Sequence, residues 1–195
     1  PLAMPNGLDP MLPLVRRGKV RDVYALPDDP RTGERRLLMV ASDRISPFDV
    51  VMRTPIPGKG AMLTQIAAWW FRLIESRRIC QTPALSPDTD TLEPATLDRL
   101  DHQTRAYLRG RSTICRACEV IPVECVVRGY ITGVTDTALW TNYAQGRRQI
   151  YGLDFPDGLR KNQRLPEPVI TPTTKAQHGG HDAQISREAL LAEGL

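Results

Sequence analysis

The polar and apolar positions of this chain fall into a few readable segments. "VRDVYAL" (20–26) and "RRLLMVAS" (35–42) are made of strand-favouring residues, and "PDDPRTGE" (27–34) between them is a cluster of turn formers. Together they predict a hairpin or meander. "DRISPFDVVMRTPIPGKG" (43–60) is broken by three prolines and two glycines and predicts a loop. In "AMLTQIAAWWFRLIES" (61–76) the residues Leu63, Ile66, Ala67, Trp70, Leu73 and Ile74 recur at three- and four-residue spacing. That spacing predicts a helix over 61–76 with one apolar stripe and its tryptophans in the core. Residues 81–98 have few apolar positions and three prolines, so they read as a loop or crossing segment. Strand character returns at 112–134, and 135–146 reads as a helix stopped by Gly146. From Tyr151 to Gln184 the pattern is mostly irregular, and a long irregular segment in a compact domain is usually functional or disordered. A last helix is predicted after Ser186, its N-cap.

Strands first, then mixed strands and helices, predict an α+β fold in two lobes. The β-rich N-terminal lobe is placed at 1–118, with the 61–76 helix, and an incomplete α/β lobe at 119–195. The boundary falls between 105 and 125. No internal repeat is visible.

Composition narrows the picture modestly. The 195 residues are 41% hydrophobic and 25% charged, an ordinary globular balance. The net charge of +4 admits an anionic partner. The arginine pairs at 16–17, 35–36, 77–78 and 147–148 are scattered, which predicts no nucleic-acid partner. No apolar run is long enough to span a bilayer, and the N-terminus lacks the order of a signal peptide. Four cysteines without a disulfide framework fit a reducing cytoplasm. Cys115 and Cys118 form a lone CxxC within strand-like sequence, which reads as buried small hydrophobes before it reads as zinc.

Several stretches could carry chemistry. "RRGKVRD" (16–22) gathers Arg16, Arg17, Lys19 and Arg21 around Gly18, just before a strand. A glycine lets backbone N–H groups approach a ligand, and the cations suit phosphate oxygens; a basic turn in water is the alternative. "PGKG" (57–60) fails as a P-loop, because Arg53 and Gly60 stand where the pattern needs a glycine and a Ser or Thr. Asp43 and Arg44 stand where an apolar strand ends, a common place for functional polar groups. Glu124 and Arg128 share one face of an apolar strand, so each needs a partner: an internal ion pair or a ligand. "TPTTKAQHGGHD" (171–182) has almost nothing to bury. Its Lys175, hydroxyls and glycine amides suit an anionic phosphate better than zinc, with disorder as the alternative.

Taken in order, "GKVRDVY", "ASDRIS.FD", "IPGKG..LTQI..WWF", "GRS", "EVIPVECVVRGYITG", "LPEPVITPTTKA" and "GHD..IS" closely resemble the SAICAR synthetase family of purine biosynthesis, from about Leu14 to Ser186. The resemblance implies an ATP-dependent C–N ligase. It would condense CAIR, the carboxylated aminoimidazole ribotide, with L-aspartate through an acyl phosphate, giving SAICAR, ADP and phosphate. It implies a β-rich lobe and an α/β lobe with ATP in the cleft, akin to ATP-grasp and kinase-like nucleotide sites, and it implies magnesium.

The resemblance further implies residue roles. Gly18, Lys19, Val20 and Arg21 would cover the ATP phosphates. Val120 would present backbone groups to adenine, with Glu124 beside it, and Lys175 would meet the nucleotide. Arg128 would bind the phosphate or carboxylate of CAIR. Asp43, Arg44 and Ser46 would line the CAIR and aspartate pocket, with His181 and Asp182 at its end; Arg128 and Asp182 would be catalytic. Val134 stands where the family usually has a serine for the CAIR phosphate, leaving Thr132 or Thr135 to replace it. Pro47 stands where a small residue is usual. The family's Asp-x-Lys-x-Glu strand, with its metal contacts, has no match after Ser186. The magnesium ligands are thus expected beyond residue 195, and the chain alone is expected to bind ATP weakly or not at all, and not to turn over. Two alternatives remain: an inactive or truncated fragment acting as a binding module, and a related ATP-using ligase or kinase-like enzyme with another acceptor.

Overall fold

In a computed structural model, residues 12–47, 50–174 and 183–194 are described. The chain divides into two compact units, Pro1–Cys118 and Glu119–Leu195. Both mix helices with antiparallel strands, an α+β arrangement.

The first unit is built on five strands: β1 (Leu14–Arg17), β2 (Arg21–Leu26), β3 (Arg36–Ala41), β4 (Ala84–Ser86) and β5 (Ser112–Arg116). They pair antiparallel in the order β1-β2-β3-β5-β4. Alternation puts Tyr24, Leu26, Leu38, Val40 and Ile114 on one face, where they bury against Leu92, Leu100, Tyr107 and Leu108. Helix α1 (Lys59–Ser76) packs against β3 and β5.

The helix forms as predicted, but its buried face differs from the expected stripe. Gly60 and Thr64 are its buried residues, while Leu63, Ile66, Trp69 and Trp70 are all exposed, both tryptophans at 52%. The reason is distance. A Cβ on Gly60 would lie 2.3 Å from the Ala41 carbonyl oxygen, so α1 meets the sheet on its smallest side chains. Leu63, Ile66, Trp69 and Trp70 are turned outward while Phe71, Leu73 and Ile74 are half-buried, and the expectation of core tryptophans is corrected.

Residues 81–98 are more ordered than their prolines suggest. They hold β4, a 3-10 turn at Thr89–Thr91 capped by Asp88, and α2 (Pro94–Leu97), which starts with its proline at the first helical position. Arg36, nearly buried, pairs with Glu93 at 2.7 Å and fixes this crossing to the sheet. Asp101 then caps α3 (His102–Leu108) by accepting from the Thr104 N–H at 2.6 Å. The cysteine expectation holds for Cys115 only. It lies buried in β5, where desolvation pushes its thiol up to about 11. Cys118 lies past the end of that strand and is exposed.

In the second unit, β6 (Val123–Ile131) pairs with a long β9 (Gln163–Thr174), which also pairs with β10 (Ala183–Gln184). Helix α4 (Leu139–Ala144) and a small hairpin of β7 (Gln149–Ile150) and β8 (Leu153–Asp154) complete its core of Ile131, Leu139, Tyr143, Ile150, Tyr151, Phe155 and Leu165. Helix α5 (Arg187–Ala192) starts at the expected cap, with Ser186 Oγ accepting from the Ala189 N–H.

The twelve-residue β9 overturns the expectation of an irregular segment here. Its prolines hid it. Arg128 pairs with Val169 and Tyr130 with Arg164, so residues 165–168 bulge opposite Gly129. Pro166 and Pro168 lie inside that bulge, where no ladder bond is required of them. Among the described residues, no helix is long and apolar enough to cross a membrane.

Candidate functional site

Residues 18–20 turn the chain from β1 into β2. The turn closes with Gly18 N–H donating to the Arg21 carbonyl at 2.7 Å. A Cβ on Gly18 would meet that same oxygen at 2.7 Å, so the turn requires glycine. Arg16, Arg17, Lys19 and Arg21 are exposed around it, and Val20 is half-buried. The predicted basic turn therefore exists as a concentrated cationic edge of the first unit. Arg21 also rims a groove between α1 and the sheet, floored by Met39, Ala41 and Thr113.

Asp43 and Arg44 are both held by the protein itself. The Asp43 carboxylate accepts from Gly60 N–H at 2.9 Å and Gly58 N–H at 3.2 Å, capping α1 from a distance. It also receives Arg111 at 2.9 Å, and that guanidinium lies 4.5 Å over the Tyr107 ring. Arg44 reaches the other way, to buried Asp22 and to the carbonyls of Gly18 and Lys19. Lys59 of "PGKG" donates to the Arg44 carbonyl, which gives this lysine a structural task. Ser46 Oγ is buried with no hydrogen-bond partner among the described residues. The sequence pointed to Asp43 and Arg44 but missed their partners. Asp22 was discoverable, since it shares the apolar face of β2 with Tyr24 and Leu26, and a charge on that face needs a counterion.

Burial raises the Asp43 pKa, but the Gly60, Arg111 and Gly58 bonds outweigh it and hold the carboxyl below the usual value. A depressed carboxyl stabilises the fold above its unfolded pKa, about 3.9. That contribution is lost as pH falls through the lower folded value. Wild type is expected to exceed Asp43→Asn by about 2 kcal/mol near neutrality. Urea unfolding from pH 7 to pH 3 should show this gap closing at the acid end. A gap independent of pH would mean that the carboxylate charge is not what holds α1.

In the second unit, β6 carries Glu124 and Arg128. Four residues along a strand span roughly 13 Å, a poor distance for a mutual ion pair. Arg128 turns instead to β9, where its Nε donates to Thr171 Oγ1 at 3.0 Å. Thr171 is buried and donates in turn to the Val126 carbonyl at 3.0 Å. Among the described residues, the two terminal amino groups of Arg128 make no hydrogen bond, so the fork is oriented and its outer donors are unused. Near it lies Tyr151, buried, with its hydroxyl donating to the Thr137 carbonyl at 2.7 Å. Desolvation raises the Tyr151 pKa, and Arg128 opposes the rise.

Thr132 donates its hydroxyl proton to Asn162 Oδ1 at 2.6 Å, which occupies its only donor. Val134 is exposed. Val120 is 82% exposed in the segment before β6, and Glu124 stands opposite Thr173. Lys175, His181 and Asp182 lie outside the described residues. Thr171 and Tyr151 escaped the sequence reading because only strand pairing and packing bring them to Arg128.

The SAICAR synthetase family model matches residues 14–195. Among curated proteins, the phosphoribosylaminoimidazole-succinocarboxamide synthase of Pelobacter propionicus is 45% identical over 181 residues, covering 93% of this chain and 55% of the relative. That of Desulfosudis oleivorans is 45% identical over 180 residues, covering 91% and 54%. The chain thus spans about half the length of these relatives. Among solved structures, the Saccharomyces cerevisiae SAICAR-synthase complexed with SAICAR superposes with a TM-score of 0.73 at 36% identity, covering 97% of this chain and 57% of that one. The Pyrococcus horikoshii SAICAR synthetase, at 19% identity and TM-score 0.56, shares the fold. On this sequence match and this shared fold, the chain belongs to the SAICAR synthetase family.

Proposed function

We propose that this chain supplies nucleotide- and substrate-holding residues of an ATP-dependent ligase that joins CAIR to L-aspartate, yielding SAICAR, ADP and phosphate. The observation that carries this reading is Arg128: a guanidinium aimed by buried Thr171, with both terminal amino groups unbonded among the described residues. A planar fork of this kind suits bidentate binding of phosphate or carboxylate.

In the reaction, a carboxylate oxygen of CAIR attacks the γ-phosphorus of ATP, and ADP leaves. The aspartate amine then attacks the acyl carbon, phosphate leaves with the acyl oxygen, and the amine loses a proton to form the amide. Arg128 would hold the CAIR anion in place through both steps. The turn at Gly18, Lys19, Val20 and Arg21 would lie along the triphosphate, its cations offsetting negative charge. Val120 would offer backbone groups to adenine, with Glu124 beside it and Lys175 at the nucleotide. His181 and Asp182 would stand at the substrate end, with Asp182 in the catalytic role. Magnesium, when bound, would neutralise the triphosphate. Among the described residues no three carboxylates, histidines or cysteines converge, so none of them is assigned to the metal.

One observation favours a second reading, an ATP-using ligase with another acceptor. Of the two hydroxyls expected to replace the family's serine on the CAIR phosphate, Thr132 and Thr135, that of Thr132 is already committed to Asn162. Calorimetry on the purified chain with ATP and with CAIR, run beside ADP release with each substrate omitted in turn, separates the two. Binding is read apart from turnover because the chain spans about half of its relatives. Tight CAIR binding, and any ADP release requiring both CAIR and aspartate, supports the ligase. ATP binding without CAIR binding supports the second reading. Binding of neither supports the expected inactive fragment and overturns the reading that this chain by itself holds nucleotide and substrate.

A further inference from the structure

We propose that Arg44 is a positioning residue that holds the turn at 18–20 in its anion-binding shape, rather than a contact to CAIR or aspartate. The inference rests on the reading of that turn as the nucleotide's phosphate site.

Four hydrogen bonds carry the argument. Arg44 Nε donates to the Lys19 carbonyl at 3.0 Å, and NH2 donates to the Gly18 carbonyl at 3.0 Å. NH2 also donates to Asp22 Oδ1 at 2.7 Å, and NH1 to Asp22 Oδ2 at 3.3 Å. One guanidinium therefore binds two successive backbone carbonyls and a carboxylate that is fully buried. An arginine with four bonds of this kind has only one N–H left for a substrate.

The backbone consequence follows from peptide geometry. Among the described residues there is no cis peptide bond, and in a planar trans unit the carbonyl and the next residue's N–H point in opposite directions. With the Gly18 and Lys19 carbonyls drawn in toward Arg44, the N–H vectors of Lys19 and Val20 are directed away from it. Successive amides turned the same way form a concave anion site. The exposed side chains of Arg17, Lys19 and Arg21 surround it. Without the fork, the two carbonyls lose their common partner, and the turn is free to rotate either peptide.

Asp22 anchors the device from below. It sits on the core face of β2, paired with Arg44 at 2.7 Å and 4.0 Å from Arg17. It aims the guanidinium; the carbonyl bonds do the positioning. Lysine at 44 would keep the charge but could not reach both carbonyls and Asp22 as a rigid fork.

The test uses the 195-residue chain and its variants Arg44→Lys, Arg44→Gln and Asp22→Asn. The readouts are backbone amide NMR of residues 18–21, titration with Mg-ATP and with inorganic tripolyphosphate, and thermal unfolding. In wild type, the Lys19 and Val20 amides should shift on titration with either anion. Both Arg44 variants should change those amide positions before any ligand is added and weaken tripolyphosphate binding at least tenfold. Asp22→Asn, which keeps an acceptor for the fork, should lose stability yet bind within about threefold of wild type. That split guards against a merely unfolded variant. If folded Arg44→Gln keeps the wild-type amide positions and affinity, the positioning role is wrong. If wild-type Lys19 and Val20 do not respond to either anion, the phosphate reading of the turn fails instead. An altered turn in Arg44→Gln would then still support the clamp alone.

Discussion

Replacing Gly60 by alanine will destabilise the first unit by about 2 kcal/mol, although alanine is the better helix former. Two effects of opposite sign compete. Gly60 lies in α1 with ordinary helical backbone, so the exchange gains roughly 1 kcal/mol of helix propensity. Against this, the new Cβ would sit 2.3 Å from the Ala41 carbonyl oxygen, 2.9 Å from its carbon and 3.0 Å from the Ser42 oxygen. All three are backbone atoms at or just past the end of β3, the central strand of the sheet, and cannot rotate aside. Forcing one carbon into such a contact costs about 1–3 kcal/mol, and the upper end applies where backbone must move. Shifting α1 also stretches the Asp43 bonds to Gly58 and Gly60. The clash therefore wins. Urea unfolding should show the loss, and Trp69 and Trp70, on the helix's outer side, should report its displacement by fluorescence. Met62→Ala, at an exposed position of the same helix, should be close to neutral. A neutral or stabilised Gly60→Ala would mean that α1 does not approach the sheet on this face.

The same helix shows how far the sequence could be read. Its existence and near-boundaries were legible, because eighteen residues with few helix breakers form a helix in most contexts. Its buried face was not. Periodicity finds the most apolar stripe, whereas packing here selects the smallest residues, and close approach leaves no trace in a hydropathy pattern. The second unit repeats the point with β9. Strand prediction discounts proline, and only the register with β6 reveals that Pro166 and Pro168 stand in a bulge. The site divides similarly. The basic turn at 18–21 and the charge at Arg128 announce themselves, since charged residues beside glycine or inside an apolar strand ask for partners. The partners themselves come from distant chain: Asp22 for Arg44, Arg111 for Asp43 across 68 positions, and Thr171 for Arg128 across 43. No local pattern specifies such pairs. Asp43 and Arg44 show the consequence. The sequence marked them as functional polar groups, and in the structure Asp43 binds α1 and Arg111 while Arg44 binds Asp22 and the turn.

On the proposed ligase reading, Arg128→Met will reduce CAIR affinity by about 30- to 150-fold. Losing a hydrogen-bonded charge partner of a bound anion costs on the order of 2–5 kcal/mol. Arg128 is only half-buried, so solvent compensates part of the loss, and about 2–3 kcal/mol is expected. Lysine at 128 should recover only part of this, because it keeps a point charge but not the planar fork. Thr171→Val separates orientation from charge. It removes the acceptor of Arg128 Nε and the donor to the Val126 carbonyl while leaving the guanidinium in place. A smaller loss, about tenfold, is expected because the fork must then be ordered by the ligand. Isothermal titration of CAIR against the four proteins measures the series, with ATP affinity and thermal unfolding as controls. The order should be wild type, Thr171→Val, Arg128→Lys, Arg128→Met, with ATP affinity little changed throughout. If Arg128→Met binds CAIR like wild type while folded, the open amino groups do not hold the substrate anion. If it loses ATP and CAIR affinity equally while remaining folded, Arg128 serves the nucleotide, and the CAIR anion must be met by residues other than the one its strand position singles out.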